Sequence, residues 1–351
     1  CKSFEYAAGD IDPEWTNLED AEVIVYHFWT DSHLPIESID VKERIVTFAH
    51  RAGKVFADDF TTDGARYIVE NVFEGLDSPG EWYLNRHTGT LYYIPLPGED
   101  MSQAEVIAPV APALVQLIGD SLKRQYVQHI CFRNIAFRFV HFQLPKGNSN
   151  DRQGSASVPA AVTLTAARHC HFDHCEVSLT GTFAFELKKG CSGNQFTQNR
   201  LTDLGAGGFR VDGGAVRENP LTYTHANEIS DNEIGPYGQE YPSAVGILLM
   251  NTSANHVAHN HIHHGGYTGV SVGWVWGYGR SISRDNVIEN NHIHDIGQGL
   301  LSDMGGIYTL GVSPGTVLRG NHIHDVVANH YGGWGIYNDE GSSHMLIENN
   351  I

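Results

Sequence analysis

The stretch NHIHDIGQGLLSDMGGIYTLG, residues 291–311, recurs thirty residues later as NHIHDVVANHYGGWGIYNDEG, residues 321–341. Both copies begin with Asn-His-Ile-His-Asp and contain a glycine-rich segment that leads into Gly-Ile-Tyr. Repetition at a nearly constant period is typical of proteins built from stacked structural units. These two copies therefore predict a solenoid, and weaker copies extend the pattern toward the N-terminus.

One asparagine position marks the units of this repeat, and successive units are 24, 33, 28, 31, 30 and 29 residues apart. The positions are Cys175, Asn199, Asn232, Asn260, Asn291, Asn321 and Asn350. Side-chain amides stacked at the strand spacing of ~4.8 Å can hydrogen-bond one another along the solenoid axis. We therefore predict that these asparagines stack inside the protein. The isoleucine two positions later fills the core, as Ile234, Ile262, Ile293 and Ile323.

A second column consists of short, glycine-flanked strand patterns, with no helical periodicity between them. They are TFAFEL from residue 182, GFRVDG from 208, GILLMN from 246, GVSVGW from 269, GIYTLG from 306 and GIYNDE from 335. This pattern predicts an all-β fold in which residues 111–351 form a parallel β-helix. The chain stops partway through a unit, at IENNI, so we interpret it as a fragment truncated at its C-terminus.

Residues 1–110 follow a different pattern, which predicts a mainly antiparallel β-sandwich-like domain inserted in the helix. Short apolar runs are separated by turn signals such as HTGT and LPGED. The runs are EVIVYHFW from residue 22, RIVTFAH from 44, ARYIVENVF from 65, GEWYLNRHTGTLYYIPL from 80 and AEVIAPV from 104.

Three units carry extra residues between the asparagine and strand columns, all at the same corner of the predicted helix. The insertions are GPYGQEYPSAV from residue 235, GQGLLSDMG from 297 and ANHYGGW from 328. Insertions in a solenoid cluster on its binding face. Because these loops contain tyrosine and tryptophan, whose rings stack on neutral sugars, we predict a carbohydrate-binding groove at this corner.

Two aspartates at this corner are the candidate catalytic pair. Strand alternation directs Ile307 and Ile336 inward, and therefore Tyr308, Tyr337 and Asp339 outward. Asp303 lies in the preceding loop, where partial burial would raise the pKa of its carboxyl group and suit it to be a general acid. Asp339 ends a regular strand, which suits a nucleophile or base. Either aspartate alone would be interpreted as a solvated surface acid.

Further side chains around this corner are candidate contacts with substrate: Tyr308, Trp334, Tyr337, Glu340 and Trp274, with Glu340 also the nearest substitute for Asp339. Glu186 and Asp212 form a second acidic pair, predicted to occupy equivalent outward positions on adjacent strands. They rank below the first pair because their units have the shortest loops.

Six histidines form two outward columns on either side of the inward isoleucine. They are His261, His292 and His322, and His263, His294 and His324. Imidazoles stacked beside Asp295 and Asp325 favour a hydrogen-bonded ladder over a metal site. We therefore expect no metal and no cofactor. Since the loops begin just after them, His294 and His324 are expected to line the groove.

The composition limits the classes of partner. The chain has 351 residues, 41% hydrophobic, and 22 Lys and Arg against 41 Asp and Glu, which gives a formal charge of −19. Nucleic acids and anionic membranes require basic surfaces, so neither is an expected partner. No apolar run is long enough to cross a bilayer. The partner we predict is a neutral or lightly charged oligo- or polysaccharide.

Long segments of the chain also resemble bacterial β-helix proteins of glycoside hydrolase family 141. The resemblance lies in SDMGGIYTLGVSPGTVLRGNHIHDV, YGGWGIYNDEGSS, GVSVGW and ENVFEGLDSPGEWYLNRHTGTLYYIP, and it extends over nearly the whole chain. It implies a right-handed β-helix carrying a β-sandwich insertion, fucosidase or xylanase activity, and a catalytic pair of aspartates. Asp303 and Asp339 best match that pair, and the resemblance alone implies a retaining mechanism.

The sequence thus predicts a secreted or periplasmic glycoside hydrolase acting on a plant-type glycan, through a fucosyl or xylosyl linkage. Two alternatives remain open. A non-catalytic sugar-binding or adhesin β-helix would keep the aromatic residues and tolerate loss of both aspartates. A polysaccharide lyase or epimerase requires a base and cations to neutralise a uronate, and the loop-rich corner has no lysine.

Overall fold

A computed structural model describes residues 1–57, 64–150, 152–214 and 219–351 of the chain. These residues form two compact units. One contains Cys1–Ala108 and Leu144–Asp151, and the other contains Pro109–Gln143 and Arg152–Ile351. No helix in the described part of the chain is long and apolar enough to cross a membrane.

The first unit is built on a five-stranded antiparallel sheet. Its strands, in spatial order, are Ser3–Glu5, Ile45–Phe48, Asp31–Asp40, Glu22–Tyr26 and Arg66–Glu70. Val23, Val25, Leu34, Val46 and Phe48 alternate with more exposed residues and form the buried core of this unit. A separate hairpin pairs Trp82–Asn85 with Thr90–Tyr93, and the short 3-10 helices are Leu18–Asp20 and Phe73–Gly75.

One predicted strand of this region is absent. Residues 104–110, the run AEVIAPV, have no strand structure. Pro109 lacks the N–H that strand pairing needs, and the side chains of Val106 and Val110 are 67% and 93% exposed. The apolar residues of this run therefore do not form a buried strand.

The second unit is a parallel β-helix, as the repeat predicts. Each coil contributes one strand to each of three parallel sheets. The first sheet contains Cys131–Arg133, His171–Asp173, Gln195–Thr197, Glu228–Ser230, His256–Ala258, Val287–Glu289, Val317–Arg319 and Leu346–Glu348. The second contains Ala136–Val140, Glu176–Thr180, Arg200–Leu204, Glu233–Ile234, His261–Gly265, His292–Ile296 and His322–Ile323.

The third sheet carries the candidate catalytic residues. Its strands are Val115–Ile118, Ala160–Thr165, Phe183–Leu187, Phe209–Asp212, Ile247–Met250, Val270–Gly273, Gly305–Thr309 and Trp334–Asn338. Val127–Gln128 and Ala167–Arg168 form a further two-stranded pairing, and the 3-10 helices of this unit are Gln153–Ser155 and Pro220–Thr222. The inserted loops join the second sheet to the third, which is the corner predicted from the sequence.

The asparagine column stacks inside the helix, as predicted. The Nδ2 of Asn260 donates to Oδ1 of Asn291 at 2.9 Å, and the same bond links Asn199 to Asn232 and Asn321 to Asn350. Each carbonyl oxygen also accepts the backbone N–H of the preceding asparagine in the column. The buried amide groups of this column are thereby satisfied.

A second asparagine ladder was not predicted. It lies five residues before the first one and contains Asn194, Asn227, Asn255 and Asn286. Their amides are linked at 2.9, 3.3 and 2.9 Å. The constant offset of five residues between the two columns is visible in the sequence and could have predicted this second ladder. The paired ladders fix the height of each coil, and with it the register of the third sheet.

Candidate active site

Asp303 and Asp339 reach the same place from two consecutive coils. Asp303 lies in the inserted loop just before the strand Gly305–Thr309, in the left-handed backbone conformation with φ 58°. Asp339 follows the next strand, Trp334–Asn338, and its N–H donates to the Thr309 carbonyl at 3.0 Å. The loop folds back over the strand, and the side chains of Asp303 and Asp339 therefore approach each other.

The hydroxyl group of Tyr337 lies between the two carboxylates. It is 2.8 Å from Oδ1 of Asp303 and 3.1 Å from Oδ1 of Asp339. The hydroxyl of Tyr308 donates to the other oxygen of Asp339 at 2.5 Å. Tyr308 and Tyr337 are in register on adjacent strands, with their ring centroids 5.3 Å apart. The two aspartates and two tyrosines thus form one hydrogen-bonded network.

Both tyrosines of this network are held in their protonated form. Burial raises the pKa of Tyr308, and its bond to Asp339 raises it further. Burial likewise raises the pKa of Tyr337, followed by its contacts with Asp303 and Asp339. Because an adjacent carboxylate disfavours a phenolate, these hydroxyls remain hydrogen-bond donors at neutral pH.

Two further residues complete the network and were missed from the sequence. The hydroxyl of Tyr267 donates to the backbone carbonyl of Asp303 at 2.9 Å, and burial raises the pKa of Tyr267 well above its ordinary value. The Gln153 side chain lies close enough to Tyr267 and Tyr308 to lower the pKa of each hydroxyl in part. Tyr267 precedes a third-sheet strand at the corner that bears the loops, so its position in the repeat could have identified it as a site residue. Gln153 lies outside the repeat, and no sequence pattern pointed to it.

An aromatic cluster lies next to the network. The ring of Trp334 is 4.4 Å from that of Tyr337 and 4.9 Å from that of Tyr331. Tyr331 and Trp334 are 41% and 36% exposed, so part of each ring is open to solvent. Partly exposed rings beside a carboxylate pair are suited to stacking on the apolar face of a sugar.

Trp274 is placed differently from the exposed ring expected of a sugar contact. It is 9% exposed, and its Nε1 donates to Oγ of Ser271 at 2.9 Å. The more accessible aromatic side chains of this loop are Trp276 and Tyr278, 53% and 81% exposed. Trp276 packs edge-on against Trp274, with ring centroids 5.9 Å apart.

The loop that bears these rings lies against the turn after Asp339. Gly341 has φ 78°, and a Cβ there would collide with the backbone of Gly277. Glycine is thus needed at position 341 for both its conformation and the close approach. Glu340, the predicted substitute for Asp339, is exposed, and its carboxylate lies close to Gly277.

His294 and His324 contact other residues of the second sheet. Nε2 of His294 is 2.7 Å from Nε2 of His261, and Nε2 of His324 is 2.8 Å from that of His292. Their Nδ1 atoms bond Asp295 and Asp325, each at 2.7 Å. The ladder predicted from the sequence is present. The described hydrogen bonds do not bring these two rings into the tyrosine–aspartate network.

The register proposed for the second acidic pair is wrong. Glu186 is aligned with Arg210, and Asp212 is aligned with Met250. The register is fixed inside the core, where Phe185 stacks on Phe209 with ring centroids 5.2 Å apart. Glu186 is buried and paired with the guanidinium of Arg210. It is therefore engaged in an ion pair and does not form an acidic pair with Asp212.

Comparison with known proteins agrees with this architecture. Residues 160–351, more than half of the chain, match the family described as the right handed beta helix region, and the chain belongs to that family. Among solved structures, a protein named glycoside hydrolase has the same fold, with a TM-score of 0.82 and 22% sequence identity. The match covers 97% of this chain and 66% of that one, so this chain spans just under two thirds of its length. No curated protein matches the sequence.

Proposed function

We propose that this protein is a glycoside hydrolase that cleaves a neutral or lightly charged glycan, with Asp303 and Asp339 as its catalytic pair. The observation that carries the proposal is the Tyr337 hydroxyl, which lies within hydrogen-bonding distance of both carboxylates. Two carboxylates on either side of the scissile bond are the usual machinery of glycoside hydrolysis. The structural likeness to a protein named glycoside hydrolase supports this reaction class.

The hydrogen bonds suit the two carboxyl groups to different roles. A phenol has one proton to donate, so Tyr337 cannot donate to both aspartates at once. Asp339 already accepts a bond from Tyr308. If Tyr337 also donates to Asp339, the remaining contact is satisfied by a protonated Asp303 that donates to the phenol oxygen. In this arrangement Asp303 is the general acid and Asp339 the ionised nucleophile.

The separation of the two groups favours a retaining mechanism. The bonding oxygens of Asp303 and Asp339 are at most about 6 Å apart, the length of the two hydrogen bonds through Tyr337 placed end to end. Carboxyl groups are ~5–5.5 Å apart in retaining enzymes and ~6.5–9.5 Å apart in inverting ones. Asp339 would attack the anomeric carbon while Asp303 protonates the leaving oxygen. Water, activated by Asp303 as base, would then hydrolyse the glycosyl-enzyme and release the sugar.

The surrounding side chains support a polysaccharide or oligosaccharide as substrate. Trp334 and Tyr331 expose ring surface beside Tyr337, and Trp276 does so in the loop that lies against the turn after Asp339, so these rings would stack on sugars of the substrate. The charge of −19 disfavours a strongly acidic glycan. The resemblance to family 141 points to fucosyl or xylosyl linkages. A substrate of this size is met outside the cytoplasm, so we infer that the protein is secreted or periplasmic.

The direct test is hydrolysis of a panel of aryl fucosides and xylosides and of plant cell-wall polysaccharides by the parent protein. Asp303→Asn and Asp339→Asn should each lower turnover at least about a hundredfold. Both variants should keep the parent far-UV circular dichroism spectrum. Asp285→Asn is the matched control, because Asp285 is an exposed residue in the same left-handed conformation as Asp303.

Retention of near-parent turnover by both active-site variants would refute the catalytic assignment. Sugar binding by the parent without hydrolysis of any panel member would favour the non-catalytic alternative. A lyase is disfavoured because Tyr308 and Tyr337, the candidate bases, have raised pKa values. Release of unsaturated uronates, detected by ultraviolet absorbance, would reverse that conclusion.

A further inference from the structure

The second sheet brings two histidines and a glutamate together, away from the two aspartates. His261 and His263 are two residues apart on the strand His261–Gly265, and Glu233 lies on the neighbouring strand in register with His261. One ring nitrogen of each histidine and one carboxylate oxygen lie within 4.8 Å of one another. The rings of His261 and His263 are 4.4 Å apart between centroids.

One nitrogen of this cluster has no hydrogen-bond partner. Nε2 of His263 is buried and unpaired among the described residues, and the side chain is 12% exposed. Its nearest carboxylate oxygen is Oε1 of Glu233 at 3.7 Å, which is too long for a hydrogen bond. The other nitrogen, Nδ1, contacts Nδ1 of His264 at 2.8 Å. A buried polar atom without a partner is costly unless another group satisfies it.

A metal ion would bind both Nε2 of His263 and Oε1 of Glu233. Two ligands bound to tetrahedral zinc at ~2.0–2.2 Å are about 3.4 Å apart, close to the separation of His263 Nε2 and Glu233 Oε1.

We propose that Glu233, His261 and His263 form a binding site for one divalent transition metal of the zinc class. Imidazole nitrogens with one carboxylate suit zinc, copper or nickel and do not suit calcium or magnesium, which prefer oxygen ligands. Three protein ligands leave a fourth position open to water. This proposal replaces the expectation of an unmetallated ladder that the sequence alone favours, and it is independent of the proposed glycosidase activity.

A competing arrangement lies on the next rung. His261, His292 and His294 also bring ligand atoms within 4.8 Å of one another, and His261 is shared by both clusters. In that set, however, both ring nitrogens of His294 are engaged, Nε2 with Nε2 of His261 and Nδ1 with Asp295, each at 2.7 Å. The contact of His261 with His294 is common to both sets and does not distinguish them. The cluster with the unpaired nitrogen therefore gains more from a metal.

The test is titration of the metal-stripped full chain with zinc chloride, followed by isothermal calorimetry and thermal unfolding. The parent should bind one equivalent of zinc and unfold at a higher temperature when it is bound. His263→Ala and Glu233→Gln should each weaken zinc binding by about tenfold or more. His171→Ala removes an exposed histidine from the first sheet and should bind as the parent does. Calcium should not bind at this site.

Three results would overturn the proposal. The first is the absence of zinc binding to the parent. The second is unchanged zinc affinity in both His263→Ala and Glu233→Gln. The third is a loss of binding in His294→Ala while His263→Ala binds normally, which would assign the metal to the neighbouring rung. Circular dichroism of every variant separates a lost ligand from a lost fold.

Discussion

Asp303 and Tyr337 are 34 residues apart in sequence and are joined by a 2.8 Å hydrogen bond between the phenol hydroxyl and the carboxylate. This bond connects an inserted loop of one coil to a regular strand of the next coil. The backbone carbonyl of the same aspartate accepts a second phenol, that of Tyr267. Asp303 is therefore positioned through both its side chain and its backbone.

Replacement of Tyr337 by phenylalanine should lower turnover by about tenfold or more, because the two carboxyl groups lose the hydroxyl that organises their protons. The pH–rate profile should also shift, since the phenol contacts both ionisable groups. The measurement is the pH dependence of kcat and kcat/KM. Tyr278→Phe removes a hydroxyl from a tyrosine that is 81% exposed and serves as the control. An unaltered pH profile in Tyr337→Phe would remove this residue from the proton arrangement.

If the proposed function is right, hydrolysis should proceed with retention of anomeric configuration, because the bonding oxygens of Asp303 and Asp339 are at most about 6 Å apart, less than the ~6.5–9.5 Å between the carboxyl groups of inverting enzymes. Proton NMR of the first-formed product should show the same anomer as the substrate, before mutarotation. Initial release of the opposite anomer would contradict a nucleophilic role for Asp339.

Asn260→Leu should lower the free energy of unfolding by roughly 1–3 kcal/mol. Asn260 donates to Asn291 and to the carbonyl of Ile229, and it accepts from Asn232. Leucine would leave these buried partners unsatisfied. Chemical denaturation measures the loss, and Gln128→Leu, at an exposed position of the same unit, is the control. Equal stabilities of the two variants would show that the ladder adds little.

His33→Gln should destabilise the first unit more at about pH 6 than at about pH 9.5. The ring nitrogens of His33 lie 3.3 Å from Glu22 and 3.2 Å from Asp31. Burial alone would lower the pKa of His33, but the two carboxylates outweigh it and raise that pKa to about 10. Because the unfolded value is ~6.5, this stabilisation is complete below that pH and is lost as pH rises toward 10.

Denaturation curves of the parent and His33→Gln at both pH values measure this effect. The exposed pair of His87 and Glu19 supplies the control, His87→Gln. A stability difference for His33→Gln that is the same at both pH values would show that the ring is not held in its charged form.

The parts of the fold that repeat were predictable from the sequence. The buried asparagines recur in six successive coils, so their column and the parallel sheets follow from spacing alone. The contact of Asp303 with Tyr337 was not predictable, because the path of an inserted loop depends on packing that has no period. Gln153 is the clearest case, since it reaches Tyr308 from a segment outside the repeat.

The errors also have a common physical origin. The sequence pattern did not predict the ten-residue strand Asp31–Asp40, because Pro35 and charged residues interrupt its apolar residues. The alignment of Glu186 with Asp212 failed because the register depends on the inward-facing Phe185 and Phe209. Outward residues follow the register and do not define it.

The amide ladder also limits where this protein can change length. Coils of 24 and of 33 residues are joined by the same type of hydrogen bond, in which a backbone N–H donates to the asparagine Oδ1 of the next coil. In the coils that begin at Asn232, Asn291 and Asn321, the inserted residues leave the helix between the second and third sheets and return to a strand that is in register with its neighbours. The loop 328–333, which carries neither proposed catalytic aspartate, should therefore tolerate changes of length or sequence without displacement of the strands above and below it. If the proposed function is right, relatives with the same coils and different corner loops would act on different glycans, and exchange of a corner loop would change which sugar is accepted.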